Sequence, residues 1–446
     1  MHRRILSIAL YTGIAQLLSL VTVKLVLNNL GEDISGLIGS IESYVAIMAS
    51  MISFGVQLSV NRNVAFQKGW RSNYALAQAS RMALSLFVIG FGVVSYLMQA
   101  DITKIIFLAA PLIAWNGDYA LYGNSKPVEA ARLSFFRVAI PNAGLLLASY
   151  YLVAEAIYVY VLLVAVGIFI AGFFAARING VEYLFPPKKS FYKIYLKYYK
   201  VGLYQLSTPF LVTGIIAIAK GYYEIGVIGL IYPVVKVYEV FKGGIRIVNQ
   251  AFFRELKFDD IGMRVDKVGV IMALFFVIPT VFYPGVLLTL LDPDRYVDLE
   301  IIMVLYGMAM FICALKISAD TRVLLRKKDN VNLLGYVGAA VIAIVFTIGF
   351  SYTNNLYIGI PAGVLSGEFF LLIVMGTSLG GMDFFLPRLR FLLKVSPVFA
   401  FAIIPRLFLS PDFFSMIASC GIYILLVLYV YRKLIFDASF LKRTKE

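Results

Sequence analysis

Fourteen apolar stretches of about 17 to 28 residues account for most of this 446-residue chain. An α-helix needs roughly 20 apolar residues to cross a hydrocarbon core of about 30 Å, and short polar loops separate these stretches. The sequence therefore predicts an all-α, polytopic membrane protein whose function depends on residues within the bilayer. The predicted spans are 5–29, 34–60, 74–98, 104–122, 128–152, 155–176, 201–222, 223–250, 268–291, 298–320, 332–352, 356–378, 395–410 and 412–431.

Lysine and arginine are distributed unevenly between the two sets of loops. If the N-terminus is cytoplasmic, 29 of the 40 lie on the cytoplasmic side, eight lie within spans, and three lie outside, namely Lys104, Lys220 and Arg295. This bias sets the orientation of a membrane protein. We therefore expect an even number of helices, with both termini in the cytoplasm.

Composition argues against several functional classes. The net charge of +15 is spread over many short turns, which indicates topology and contact with anionic lipid rather than nucleic-acid binding. Cys313 and Cys420 lie within spans and His2 is the only histidine, so a disulfide or a metal site is not expected. No P-loop pattern is present, which argues against ATP hydrolysis, and no cofactor is expected. The first helix is expected to be an uncleaved anchor.

A short internal similarity indicates two related halves. Residues 36–41 (Gly-Leu-Ile-Gly-Ser-Ile) match residues 226–231 (Gly-Val-Ile-Gly-Leu-Ile) at an offset of 190, and each segment opens the second helix of a six-helix block. Related halves around a central cavity are typical of alternating-access transporters. The predicted domains are an N-terminal six-helix bundle (1–180), a cytoplasmic interfacial linker (181–200), a C-terminal six-helix bundle (201–378), and two extra transmembrane helices with a cytoplasmic tail (379–446).

The linker interleaves tyrosine and lysine between residues 188 and 200. Such residues suit the headgroup layer, where rings lie at the interface and ammonium groups meet anionic lipid. The alternative is a helix start flanked by ordinary basic residues of the cytoplasmic side.

One predicted span, 223–250, carries an unusually dense set of charges: Lys236, Glu239, Lys242 and Arg246. At about 100° per residue they occupy a face roughly 120° wide. Three cations against one carboxylate predict a positive surface that faces substrate. The alternative is that Lys236 and Glu239 neutralise each other while Arg246 reaches the interface.

Other charged residues also lie within spans, where they usually face a bundle interior or a wet cavity. Arg81 and Asp118 are at similar depths and are expected to form a structural ion pair, and Lys316 and Asp320 a local pair. Eight cations against five carboxylates predict a net positive cavity and an anionic cargo. The candidates for substrate binding are Lys24, Arg137, Lys236, Lys242 and Arg246, and the candidates for carrying a coupling ion are Glu42, Glu239 and Glu368.

Several glycine-punctuated segments resemble the polysaccharide-transporter family of bacterial O-antigen and exopolysaccharide flippases. They are residues 29–31 (Asn-Leu-Gly), Gly36 and Gly39, residues 53–57 (Ser-Phe-Gly-Val-Gln) followed by Asn61 and Arg62, and residues 115–118 (Trp-Asn-Gly-Asp). The count of fourteen helices is similar to that of the wider superfamily, which includes the lipid II flippase and multidrug and toxin extruders.

The resemblance implies a flippase in the bacterial inner membrane. Its cargo would be an undecaprenyl-pyrophosphate-linked oligosaccharide, moved from the cytoplasmic to the outer leaflet by alternating access and driven by an ion gradient or the membrane potential. Its partners would be membrane lipids and the polysaccharide polymerase and chain-length machinery. The main alternative is an ion-coupled drug or metabolite antiporter of the same superfamily. A membrane glycosyltransferase or polymerase is disfavoured because the external loops are short.

Overall fold

The computed structural model describes residues 2–57, 60, 70–99, 101–124, 126–182, 184–251, 256, 259–292, 295–296, 299–353 and 355–436. Regular structure in these residues is helical throughout, which confirms the predicted all-α class. The α-helices are α1 His2–Ser53, α2 Trp70–Gln99, α3 Ala110–Trp115, α4 Tyr119–Gly123, α5 Pro127–Tyr151, α6 Ala156–Asn179, α7 Phe191–Lys197, α8 Tyr199–Ser207, α9 Ile215–Ala219, α10 Ile225–Ala251, α11 Asp259–Val277, α12 Pro284–Leu291, α13 Glu300–Leu315, α14 Ala319–Leu325, α15 Asp329–Ser351, α16 Leu356–Ser378, α17 Met382–Phe408 and α18 Phe413–Phe436.

Nine helices in the described part of the chain are long and apolar enough to cross a membrane, or ten if α13 and α14, bent by 41°, form one span. Helix α1 counts once although it extends over the first predicted span and most of the second. A kink at Gly31, whose φ of 85° is a conformation that favours glycine, separates the two parts. Helix α10 is not among the nine, since four charged residues interrupt its apolar sequence. The count of fourteen spans stays a prediction.

The fourth predicted span, 104–122, is broken rather than continuous. It consists of a 3-10 helix over Ile102–Ala109, then α3, which ends at Trp115, and then α4. Asn116 between them has an extended backbone, with ψ of 114°. The break leaves carbonyl groups without helical partners, and within a bilayer other protein groups must satisfy them.

The two segments related by the internal similarity pack directly against each other, where the second part of α1 meets α10. A Cβ atom on Gly36 would lie 2.4 Å from the Ile225 carbonyl oxygen, and one on Gly229 would lie 1.9 Å from the Glu32 carbonyl oxygen. The Ser35 hydroxyl donates to the Gly229 carbonyl at 3.1 Å. These glycines therefore allow the backbones of the two predicted halves to come into contact.

Charged residues also join the halves at the predicted external end. Lys220 Nζ lies 2.5 Å from Asp101 Oδ2 and 2.9 Å from the Thr103 hydroxyl oxygen. Arg295 Nη1 donates to the Leu27 carbonyl oxygen at 3.1 Å. Two of the three basic residues that the sequence places outside the membrane thus connect the halves.

The C-terminal helices α17 and α18 are fixed to the rest of the chain by a buried ion pair. Arg388, which the sequence places between the predicted spans 356–378 and 395–410, lies within α17 and donates to the fully buried Asp266 of α11. The other oxygen of Asp266 accepts from the Ser318 amide at 2.9 Å. Tyr423 of α18 donates to the Ile271 carbonyl oxygen at 2.9 Å.

The glycine contact between α1 and α10 generates a first prediction. Gly229→Ala should lower the melting temperature, because overpacking of a tight contact costs about 1–3 kcal/mol. The control is Gly349→Ala in α15, where nothing lies within 4 Å of the added methyl group. It should be neutral or slightly stabilising, since alanine is the better helix former. Thermal denaturation of the purified protein in detergent measures both, and equal melting temperatures would contradict the prediction.

The external ion pair generates a second prediction, which depends on pH. Burial opposes ionisation of the Asp101 carboxyl, but hydrogen bonds from Lys220 and Thr103 outweigh it and hold the pKa of Asp101 below its ordinary value. A carboxyl whose pKa is lower in the folded state stabilises the fold above its unfolded pKa, of about 3.9. That stabilisation is lost as the pH falls through the folded-state pKa.

Asp101→Asn should therefore be less stable than the wild type at pH 7, and the difference should shrink below about pH 4. Melting temperatures between pH 7 and pH 3 measure this. Asp383→Asn removes an exposed carboxylate and serves as the control. A gap between the wild type and Asp101→Asn that persists unchanged at pH 3 would argue against the assignment.

Candidate functional site

Three charged side chains meet between the predicted halves, and we call them the interface triad: Glu42 of α1 and Lys236 and Glu239 of α10. Lys236 Nζ contacts the Glu42 carboxylate and lies 2.5 Å from Glu239 Oε2. The Tyr160 hydroxyl of α6 donates to Glu42 Oε1 at 2.8 Å. With all three groups ionised the triad has a charge of −1.

The triad differs from the positive surface that the sequence predicts at this level of α10. The exposed fraction of the side chain is 8% for Lys236, 17% for Glu42 and 34% for Glu239. Lys236 is thus enclosed between two carboxylates. Glu239 is the member of the triad that is most accessible to water. The physical reason is that Glu42, placed on another helix by the sequence, adds a second negative charge.

A second charged set lies within the predicted C-terminal half, and we call it the Glu368 cluster: Lys242, Lys316, Asp320 and Glu368. Lys242 Nζ lies 2.5 Å from Glu368 Oε1, and Lys316 Nζ lies 3.2 Å from Glu368 Oε2. The expected local pair of Lys316 and Asp320 is present at 3.6 Å. The Tyr238 hydroxyl donates to Glu368 Oε1 at 2.9 Å.

Glu368 is fully buried, and its two lysine partners differ in exposure. The Lys316 side chain is 3% exposed, whereas that of Lys242 is 19% exposed. A buried carboxylate is costly unless it is paired. Because Lys316 and Tyr238 also contact Glu368, the carboxylate keeps partners even if Lys242 turns to another anion.

Tyrosines accompany both lysines of α10, and this feature was missed in the sequence. Lys236 Nζ lies 5.7 Å from the centre of the Tyr232 ring, and Lys242 Nζ lies 5.0 Å from the centre of the Tyr238 ring. In both pairs the tyrosine precedes the lysine by four residues, the spacing that places side chains on one helix face. This repeated spacing of four residues is the feature of the sequence from which the two tyrosine–lysine pairs could have been predicted.

The expected ion pair of Arg81 and Asp118 is wrong. Asp118 Oδ2 instead accepts from Arg137 Nη1 at 2.9 Å. Arg81 is buried and donates to the carbonyl oxygens of Asn116 at 2.7 Å and Ile113 at 2.9 Å. The physical reason is the helix break after Trp115, which frees carbonyls that a buried guanidinium can satisfy.

Gln78 completes this arrangement and was also missed. Its Nε2 donates to the Trp115 carbonyl oxygen at 2.7 Å, and its Oε1 accepts from Arg81 Nη1 at 2.7 Å and from the Tyr119 hydroxyl at 3.0 Å. Arg81 and Gln78 therefore support the break in the fourth predicted span. Arg137, whose side chain is 37% exposed, remains the more accessible cation of this region.

None of the other basic residues of the predicted spans contacts either charged set in the part of the chain that the structure describes. Lys24 of α1 is half-buried and has no hydrogen-bond or ion-pair partner among the residues that the structure describes. The side chain of Arg246 lies outside the described residues. Arg406 Nε donates to the Phe282 carbonyl oxygen at 2.9 Å, between α17 and the π-helical turn Ile278–Phe282. The structure therefore brings Lys236 together with Glu42 and Glu239, and Lys242 together with Glu368, but it does not bring Lys24 or Arg137 to either set.

Histidine, cysteine and carboxylate side chains form no group of three or more that could hold a metal ion in the described ranges.

Comparison with solved structures identifies the fold. A structure titled lipid II flippase MurJ in an inward closed conformation aligns with a TM-score of 0.70 and 13% identity, over 96% of this chain and 99% of that one. An inward-facing multidrug resistance MATE family transporter of the MOP superfamily aligns with a TM-score of 0.59 and 15% identity, over 85% and 96%. The MATE multidrug transporter DinF-BH aligns with a TM-score of 0.60 and 13% identity, over 86% and 96%.

No protein-family model matches the chain, and no curated protein matches it. At this identity the structural likeness concerns the fold alone. The chain therefore has the helical fold that the lipid II flippase and MATE transporters share.

Proposed function

We propose that this protein is a flippase that moves an undecaprenyl-pyrophosphate-linked oligosaccharide from the cytoplasmic to the outer leaflet by alternating access. The observation that carries the proposal is the pairing of one buried carboxylate, Glu368, with two lysines. Lys242 is the more exposed of the two and lies on the polar face of α10. It can exchange Glu368 for a phosphate oxygen while Lys316 keeps the carboxylate paired.

The chemistry of the cargo agrees with this exchange. A pyrophosphate needs cations when it leaves water, and lysine serves as a point charge for phosphate whereas arginine can make bidentate contacts. The polyprenyl tail can stay in lipid while the headgroup crosses between the halves. Lys24 and Arg137 are further cations that the headgroup would meet, and Arg246 belongs to the same face of α10 by its position in the sequence.

Alternating access requires that the contacts between the halves open and close. In this state the predicted halves meet at the predicted cytoplasmic end, where the Gly55 amide donates to Gln205 Oε1 at 2.9 Å. At the predicted external end they meet at Gly36 and Gly229 and at the Asp101–Lys220 pair. Release of cargo to the outer leaflet would require these contacts to separate. They are short polar and backbone contacts that the halves can remake on return.

The proposed cargo can be tested by ligand-induced stabilisation. The undecaprenyl-pyrophosphate-linked oligosaccharide should raise the melting temperature of the purified wild-type protein, because a ligand that binds only the folded state stabilises it by about 2.7 kcal/mol at a hundredfold excess over its dissociation constant. Lys242→Met should lose most of this stabilisation. Lys394→Met, which removes an exposed lysine of α17, should keep it.

The second candidate function is an ion-coupled antiporter for cationic drugs or metabolites, and the charge of −1 on the interface triad favours it. The same assay separates the two. Stabilisation by hydrophobic cations, with none by the pyrophosphate-linked oligosaccharide, would overturn the flippase proposal.

We also propose that the interface triad carries the coupling proton. Glu42 and Glu239 share the single ammonium of Lys236, so one proton makes the triad neutral and lowers the cost of enclosing it as the halves close. Glu368 is a poorer candidate because each of its two oxygens already contacts a lysine ammonium group. The partial exposure of Glu239 gives the proton a route to water.

Transport in vesicles with an imposed pH gradient tests the coupling proposal. Glu42→Gln and Glu239→Gln should lose the acceleration that the gradient produces, whereas Glu224→Gln, an exposed residue between α9 and α10, should keep it. Full gradient dependence in both triad variants would exclude these carboxylates as the coupling site.

A further inference from the structure

A groove of about 410 Å³ lies between the inner part of α2 and the segment that precedes and begins α7. Its apolar side is formed by Leu86, Phe87 and Phe191, and its polar side by Lys188 and Lys189. Its volume falls within the range of ligand pockets, about 300–1,000 Å³. The segment belongs to the linker that joins the predicted halves, so a ligand here would contact both the linker and the N-terminal half.

The groove lies where the lipid-facing surface of α2 begins. Leu86 and Phe87 are 55% and 64% exposed, and Phe91 and Val94, one and two turns further along, are 59% and 57% exposed. Residues 77–81, which precede this point on α2, are buried in the protein. Lys188 and Lys189 belong to the linker that the sequence places on the cytoplasmic side, so the groove joins an apolar helix surface to basic residues of that side.

The two lysines are available to a ligand. Both are exposed, and neither side chain forms an ion pair or a hydrogen bond within the part of the chain that the structure describes. Their ammonium groups stand beside an apolar surface, an arrangement that matches a phosphate attached to an acyl chain. Each basic residue near an anionic membrane surface contributes about 1 kcal/mol to lipid binding.

The linker is anchored firmly enough to form one wall of a site. The Phe191 ring lies 6.0 Å from the Phe87 ring and 6.3 Å from the Tyr195 ring. The Tyr195 hydroxyl donates to the Ile52 carbonyl oxygen at 3.0 Å, at the inner end of α1. The wall that carries the lysines is therefore held against the N-terminal half by both aromatic and hydrogen-bond contacts.

We infer that this groove binds an anionic phospholipid of the inner leaflet, with its phosphate at Lys188 and Lys189 and an acyl chain along Leu86, Phe87 and Phe191. A zwitterionic phospholipid is a poorer ligand, because its own cationic headgroup competes with the lysines for the phosphate. The bound lipid fastens the linker to α2, so the lipid composition of the inner leaflet controls how tightly the linker is held. This site is separate from the interface triad and the Glu368 cluster and does not depend on the proposed cargo.

Native mass spectrometry of the full-length protein, titrated with phosphatidylglycerol or phosphatidylcholine, tests the inference. The wild type should bind one phosphatidylglycerol more tightly than phosphatidylcholine, and Lys188→Ala/Lys189→Ala should weaken that binding about tenfold or more. Lys193→Ala/Lys197→Ala removes two exposed lysines of α7, next to the groove but outside it, and should leave phosphatidylglycerol binding unchanged. Phe87→Ala should weaken the binding of both lipids, because it removes part of the apolar wall.

Three outcomes would overturn the inference. One is an equal loss of phosphatidylglycerol binding in the two double variants, which would indicate general attraction to basic surface. Another is equal affinity of the wild type for the two lipids. The third is displacement of phosphatidylglycerol by undecaprenyl pyrophosphate at equimolar concentration, which would assign the groove to the cargo.

Discussion

The contact of Lys236 with Glu42 is the charge contact between the two predicted halves from which the electrostatics of the candidate site follow. It joins α10 to α1 within the apolar layer, where an unpaired charge would be costly. Glycine contacts at residues 36 and 229 bring the same two helices together nearer the predicted external end. Close backbone contacts and an ion-pair contact thus join the same two helices, α1 and α10.

Helix α10 carries two lysines that serve different partners. Lys236 faces Glu42 of the N-terminal half, and Lys242, six residues later, faces Glu368 of the C-terminal half. Six residues correspond to about 9 Å along a helix and about 120° around it, which accounts for the two directions. The predicted polar face is therefore wide enough to contact both halves.

The sequence predicted features that depend on one helix or on composition. The all-α class and the charged face of α10 are of this kind, and the Lys316–Asp320 pair follows from a separation of four residues although the bend between α13 and α14 lies between them. Contacts between distant helices could not be predicted: spacing along α10 shows which face is polar but not that Glu42 lies opposite it. Arg81 was assigned to Asp118 from depth alone, because the helix break that gives Arg81 its carbonyl partners depends on backbone geometry after Trp115.

The two charged sets respond differently to separation of the halves. Movement of α1 away from α10 breaks the contact of Lys236 with Glu42 but leaves Lys236 paired with Glu239. Lys242, Lys316 and Glu368 all belong to the C-terminal half, so the same movement leaves their contacts intact. Within the apolar layer, opening therefore exposes one carboxylate of these two sets, Glu42, which still accepts a hydrogen bond from Tyr160. Within that layer the electrostatic cost of opening falls on this one side chain, and a proton or a cation at Glu42 lowers it.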